Sequence, residues 1–116
     1  MSKITKRIGK YDETSSADIE SYIYEITDED GIAASLYIEQ TEHLILNIEV
    51  RKDRQGEGLA RALYEHAEAD LGDIYHVPSW GCTEDGKGFA SAMGGETLDD
   101  ETAARILDLD LDAILG

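Results

Sequence analysis

Between Tyr22 and Val50 the chain holds a two-residue hydrophobic period through three successive segments, and from Gly58 that period becomes helical. The first segment, Tyr22-Ile23-Tyr24-Glu25-Ile26-Thr27, is rich in the aromatic and β-branched residues that fit a pleated surface. Asp28-Glu29-Asp30-Gly31 reads as a turn closed by glycine. Residues 32–39 form a second strand, 40–42 a tight connection and 43–50 a third strand. Connections this short join only antiparallel neighbours, so the segments make a β-meander. In the third strand Leu44, Leu46, Ile48 and Val50 share one face, and Ile45, Asn47 and Glu49 the other. The second divides Ile32, Ala34, Leu36 and Ile38 from Ala33, Ser35, Tyr37 and Glu39. One face is wholly apolar and needs a cover.

That cover follows in the chain. Leu59, Leu63, Ala67 and Leu71 recur at i+4 steps, with Ala60 beside them, down to a stop at Gly72. Arg61, Glu65 and Glu68 take the opposite face. Upstream, residues 3–8 alternate weakly as a short edge strand, and 12–18 are small and polar, a loop or frayed helix. Downstream, 74–77 is a short strand ended by Pro78. A second helix starts with Thr83 as its N-cap, runs through Phe89 and Met93, and stops at Gly94-Gly95. After it, Thr97 or Asp99 can cap a helix through Ala103, Ile106 and Leu107. The run LDLDLD at 107–112 alternates like an edge strand, but Ala113-Ile114-Leu115 continue the apolar helical face, which favours helix. With 116 residues and no internal repeat, residues 1–116 are expected to form a single domain.

Charge narrows the partners. A net charge of −16 repels phosphate polymers and anionic lipid, which argues against nucleic-acid and membrane-surface binding. It attracts a basic protein or a polyamine, although acidic residues spread along the chain also make an ordinary solvated surface. The longest apolar runs, such as Leu44-Ile45-Leu46, fall far short of the roughly 20 residues of a membrane span. The N-terminus lacks the apolar core of a signal peptide, so a cytoplasmic protein is expected. Cys82 is the one cysteine, which excludes an internal disulfide and a cysteine-cluster metal site; no metal is expected.

Against that acidity, RKDRQGEGLARAL (51–63) stands out. Four of the ten basic residues, Arg51, Lys52, Arg54 and Arg61, fall within eleven positions around Gly56 and Gly58. A strand ending at Val50, a glycine-bearing loop and a helix from Gly58 make a recognisable anion site. The glycines let backbone approach a ligand, and the first helical amides point outward at the positive end of the dipole. Such a site suits a pyrophosphate, with the cations available to further phosphates. A P-loop would need Gly-Lys-Ser/Thr where this chain has Gly58-Leu59-Ala60. A dinucleotide fingerprint would need a third glycine at Arg61 within a βαβ unit.

The stretch IEVRKDRQGEGLARALYEHAEADL resembles motif A of the GNAT superfamily of acyl-CoA-dependent N-acetyltransferases. Val50, Gln55-Gly56-Glu57-Gly58-Leu59-Ala60 and Leu63 stand at matching positions, and TEDGKGFASAMGG, with Phe89 and Gly94, is similar to the family's next helix. The order of elements corresponds over residues 20–95. The resemblance implies a mixed, mainly antiparallel α/β (α+β) fold: a meander, a phosphate-loop helix and a second helix. Departures are visible. Asp53 replaces the usual first Arg or Gln, and Ala90 stands where a general-acid tyrosine is common. Little room precedes residue 20 for the family's early helices, and its last hairpin is not evident after Gly95.

By that resemblance, the chain transfers an acetyl group from acetyl-CoA directly to an amine, on a small molecule or a basic protein. Backbone at Ile48 and Val50 would pair with the pantetheine arm, and Gln55, Gly56, Glu57, Gly58, Leu59 and Ala60, flanked by Arg54 and Arg61, would hold the pyrophosphate. Candidate bases are Glu49, Asn47 through an ordered water, and Glu42; candidate acids are Tyr75 and Tyr37. His76, beside Pro78 and Trp80, either shapes the acceptor mouth or is a surface histidine, the latter being favoured. Two other classes fit: a non-catalytic CoA- or protein-binding module, and an acidic nucleic-acid mimic, which would have no use for an anion site.

Overall fold

The computed structural model describes residues 3–11, 19–81, 84–107 and 112. In chain order it contains β1 (Lys3–Tyr11), β2 (Ile19–Asp28), β3 (Gly31–Glu39), β4 (Ile45–Val50), α1 (Leu59–Leu71), α2 (Glu84–Met93) and α3 (Asp100–Leu107). Single 3-10 turns lie at Lys52–Arg54 and Ser79–Gly81. The four strands form one open antiparallel sheet in the order β1-β2-β3-β4, so the architecture is α+β. β1 runs beyond the expected 3–8, and β2 begins at Ile19.

The meander closes through short turns with satisfied polar groups. Asp28 Oδ1 accepts the Asp30 N–H at 2.9 Å, and Gly31 completes that turn at φ 114°. Before β4 the Glu39 carboxylate accepts the N–H groups of Thr41 (2.9 Å) and Glu42 (2.7 Å) and the Thr41 hydroxyl. These bonds satisfy a carboxylate that is almost wholly buried.

Two bulges revise the expected faces. β3 carries an extra residue between the pairs Ile26–Ala34 and Thr27–Ile32, and β4 another between Tyr37–Asn47 and Ile38–Ile45. Each extra residue shifts the alternation by one, so what lies beyond it changes face. Ile45, expected opposite Ile48, therefore joins the main core, while Leu46 leaves it to pack beside Leu44. Ile32, expected under the cover, is 50 % exposed.

The main core lies between α1 and the sheet. Leu63 and Ala67 from α1 meet Tyr24, Leu36, Ile38 and Ile45, all buried. Full burial of a leucine such as Leu36 or Leu63 contributes about 1.5–3 kcal/mol. A second cluster gathers Leu44, Leu98 and Ala103, with Leu46, Tyr75 and Trp80 against it. α1 stops at Gly72, whose N–H reaches the Glu68 carbonyl at 2.9 Å. α2 stops at Gly94, whose N–H reaches Ala90 at 3.0 Å. α3 begins where the helical reading of the tail put it, with Asp99 Oδ2 accepting the Thr102 N–H (3.0 Å) and hydroxyl (2.8 Å). The expectations for 12–18, Cys82, the Thr83 cap, and 108–111 and 113–116 lie outside the described residues.

The segment 74–77 departs from expectation in a way that creates the site. It forms no strand, and its backbone pairs through single parallel bridges, Leu44 with Tyr75 and His76 with Thr97. Ile45 N–H donates to the Tyr75 carbonyl at 2.8 Å; one residue later His76 N–H turns away to Glu96 at 2.9 Å. The segment thus leaves β4 just after Ile45. Among the described residues no strand covers the outer edge of β4 from there to Val50.

Candidate functional site

The uncovered edge of β4 borders a cavity of about 820 Å³, within the range of about 300–1,000 Å³ usual for small-molecule sites. On the helical side its wall is apolar: Ile48 and Val50 from β4, Ala60 from α1, and Phe89, Ala92 and Met93 from α2. On the other side Ser35, Tyr37 and Glu49 line it, and Arg51 and Gln55 close the end toward the loop. The cavity therefore wraps around one strand edge, dry on one flank and polar on the other.

The polarity of that edge follows from strand geometry. Arg51 N–H donates to the Ala33 carbonyl at 2.7 Å. Alternation along an antiparallel ladder then turns the backbone of Glu49 toward β3 and that of Ile48 and Val50 outward. The outward groups are the ones expected to hold an extended ligand. In this structure Asn47 Oδ1 accepts the Ile48 N–H at 2.9 Å, and Gln55 Nε2 donates to the Val50 carbonyl at 3.3 Å. Asn47 Nδ2 also donates to Glu49 Oε1 at 3.1 Å.

Beyond Gln55, Gly56 and Gly58 both take φ 83°, a left-handed conformation that favours glycine, and a Cβ at either would meet open space. Gly58 caps α1 without a side-chain bond, and the first helical hydrogen bond is Ala62 N–H to Gly58 at 3.0 Å. The N–H groups of Leu59, Ala60 and Arg61 hence lack helical acceptors, and no acidic residue occupies that first turn. Left-handed glycines and outward first amides thus meet at the start of α1. Gly56, Glu57 and Gly58 are exposed at the end of the cavity rather than on its wall.

The cations are arranged differently from a row open to phosphate. Arg51 reaches Asp28 through Nη2 at 2.6 Å and Nη1 at 3.1 Å, and Asp53 through Nε at 2.6 Å. Arg54 donates from Nε to both Glu57 oxygens (2.9 and 3.0 Å) and from Nη1 to Asp28. The Arg51 hydrogen bond foremost, with the Asp30 N–H and Arg54 behind it, holds the Asp28 carboxyl well below the usual range. Asp53 is lowered by Arg51, and Arg54 is raised, chiefly by Glu57. Arg61 Nη2 instead reaches the Ala92 carbonyl of α2 at 3.2 Å, and Lys52 is exposed. Asp28 was legible only as a turn residue; its role as the clasp of this loop depends on a contact across 23 residues.

Other expected residues fall in different places. Glu49 and Tyr37 meet at the cavity, whereas Tyr75 packs into the second core cluster and does not line it. Asn47 acts beside the cavity through its bonds to Ile48 and Glu49. Glu42 is exposed in the turn before β4. His76, favoured as a surface histidine, is buried at 4 % exposure, because its backbone pairs with Glu96 and Leu98. Its ring stacks on Tyr64 with centroids 5.7 Å apart, and Nε2 donates to the Gly94 carbonyl at 2.6 Å. Trp80 donates to Asp100 at 3.0 Å, on the α3 side. Met93 and Ala92 were missed as cavity residues, although the Phe89–Met93 spacing marks one helical face.

Among the described residues no three His, Cys, Asp or Glu side chains gather to hold a metal, and no helix is long and apolar enough to cross a membrane. The fold and site define an α+β protein with a cavity on an uncovered strand edge. Neither a family model, nor a curated protein, nor a solved structure matches the chain.

Proposed function

We propose that this chain is a GNAT-like, acyl-CoA-dependent N-acetyltransferase that moves an acetyl group from acetyl-CoA to an amine, on a small molecule or a basic protein, in a cytoplasmic setting. The observation that carries the reading is the cavity bordering the outward edge of β4, in line with glycines at φ 83° and the unpaired first amides of α1. An arm with amide groups fits the strand edge, and a pyrophosphate suits the helix end. The apolar flank of Phe89 and Met93 keeps water from a thioester lying there.

In the reaction the amine nitrogen attacks the thioester carbonyl, a C–N bond forms and the C–S bond breaks. Glu49, on the polar flank, accepts the proton the amine loses, and the Tyr37 hydroxyl supplies one to the departing thiolate. Positioning along the edge supplies much of the acceleration. With Arg51 and Arg54 held in ion pairs, the backbone amides at the start of α1 are the principal anion contacts.

The test is calorimetry with acetyl-CoA and CoA, then thiol release with polyamines, aminoglycosides, amino acids and basic proteins. At least one acceptor should release thiol, and Glu49→Gln should slow that release with cofactor affinity nearly unchanged. Absence of acetyl-CoA binding would remove the reading. A non-catalytic CoA binder is the second reading, favoured by Ala90 and by Tyr75 packing away from the cavity; binding without thiol release across the panel would select it.

A further inference from the structure

The outward backbone of β4 meets the chain's own amide side chains at two successive outward positions. Asn47 Oδ1 takes the Ile48 N–H at 2.9 Å, and Gln55 Nε2 takes the Val50 carbonyl at 3.3 Å. One side chain presents an amide acceptor and the other an amide donor. Together they offer the edge the same pair of functions that an extended, amide-bearing molecule would. Neither bond belongs to the sheet, and neither side chain is held in the core: Asn47 is half-buried and Gln55 exposed. The adjoining cavity gives an arriving arm room along the same edge.

We infer that Asn47 and Gln55 are displaceable amide plugs that keep the β4 edge paired without ligand and yield both bonds to the amides of an extended ligand arm. The inference rests on the acyl-CoA reading for the identity of that arm, but the plugs themselves stand on the two side-chain bonds at the β4 edge. The exchange is nearly neutral in bond count, since each amide–backbone bond lost is replaced by another. An arm without amides cannot make that replacement, because it would leave an N–H and a carbonyl unpaired in a partly dry cleft, which costs more than the bonds contribute. The plugs thus make the site selective for amide-bearing arms. They also protect an edge that would otherwise present donors and acceptors to any stray strand. When Asn47 swings away it releases its bond to Glu49 Oε1, leaving that oxygen to accept a proton in the loaded state.

Two measurements test this, the first without any ligand. In the wild type the Ile48 amide should exchange with solvent more slowly than in Asn47→Ala, by about 2- to 10-fold, the worth of one net hydrogen bond. The Glu49 amide, directed into the β3 ladder, should not change. Parallel acceleration of both amides would mean a merely structural role and would overturn the plug, as would equal Ile48 exchange in the two proteins.

The second measurement compares binding of CoA, whose arm carries amides, with adenosine 3′,5′-bisphosphate, which has no arm. Removing a competitor should tighten CoA relative to the bisphosphate by about 2- to 10-fold in Asn47→Ala, and again in Gln55→Ala. An unchanged or reversed ratio overturns the displacement. A wild type that binds neither probe overturns the acyl-CoA reading and the displacement with it, whereas slow, Asn47-dependent exchange at Ile48 would still establish the plug.

Discussion

The two outer edges of the sheet, β1 and β4, are protected by different chemistry. On β1, Lys6 and Arg7 are each tied to a carboxylate: Lys6 to Asp70 at 2.8 Å and Arg7 to Glu25 at 3.0 Å. Lys6 also lies over the Tyr22 ring, 4.4 Å from its centroid. Charged side chains on an edge discourage strand pairing, because an approaching strand would have to strip their water. On β4 the outward groups are met by neutral amides from Asn47 and Gln55, and Arg51 and Arg54 stand past the strand's end, clasped by Asp28. Charged side chains guard one edge. Neutral amides meet the outward groups of the other, which is the edge that borders the cavity.

The largest test of this contrast concerns what supports each edge. Leu63, fully buried, joins α1 to the sheet beside the cavity, whereas Ile8 on β1 is 65 % exposed. Leu63→Ala should cost about 2–5 kcal/mol in denaturant unfolding, and Ile8→Ala within about 0.5 kcal/mol. A comparable cost at both would mean that the β1 edge is buried under conditions of assay.

Next in size is Gly58→Asp. A side chain at φ 83° costs about 1 kcal/mol of backbone strain, but the Cβ meets no atom, so the fold should survive with a slightly lower Tm. Its carboxylate would lie at the amides proposed for the pyrophosphate. Acetyl-CoA binding should then be lost by calorimetry, and retained affinity would detach the loop from the site.

The smallest effect separates the carboxylates of the two edges. Asp28 and Asp70 are both lowered in the folded protein, the first mainly by Arg51 and the second by Lys6 and then Tyr24. For a lowered carboxyl, the stabilisation is present above the unfolded value of about 3.9 and is lost as pH falls below it. Asp28→Asn should therefore flatten the acid limb of Tm against pH, and Asp70→Asn should flatten it less, since Asp28 clasps two guanidiniums. The reverse ranking would show that the loop clasp contributes less than the β1 pair.

Much of the fold was legible because it depends on local period and punctuation. Alternation from Tyr22 to Val50 with a short Asp-Gly turn can only become antiparallel neighbours, and the i+4 leucines ending at Gly72 can only cover their apolar face. The glycines at 56 and 58 marked where backbone is bare enough for a close approach, and the structure added their left-handed conformation. At the site, the placement of Glu49 and Tyr37 on one face followed from the same alternation.

Tertiary structure decided what the period cannot carry. A bulge leaves no mark in composition, yet the one in β4 exchanged the faces of Ile45 and Leu46. The burial of His76 depended on its backbone pairing with Glu96 and Leu98, some 20 residues onward. The basic cluster at 51–54 read as charge available to phosphate, but Asp28, distant in sequence, reaches it only once the meander has folded. Side-chain period and turn punctuation are properties of neighbours along the chain, so the sequence by itself determined the meander, the covering helix and the place of the glycine loop. Which charges pair with one another, and which backbone groups stay outside the sheet, are properties of neighbours in space, and only the folded sheet decided them.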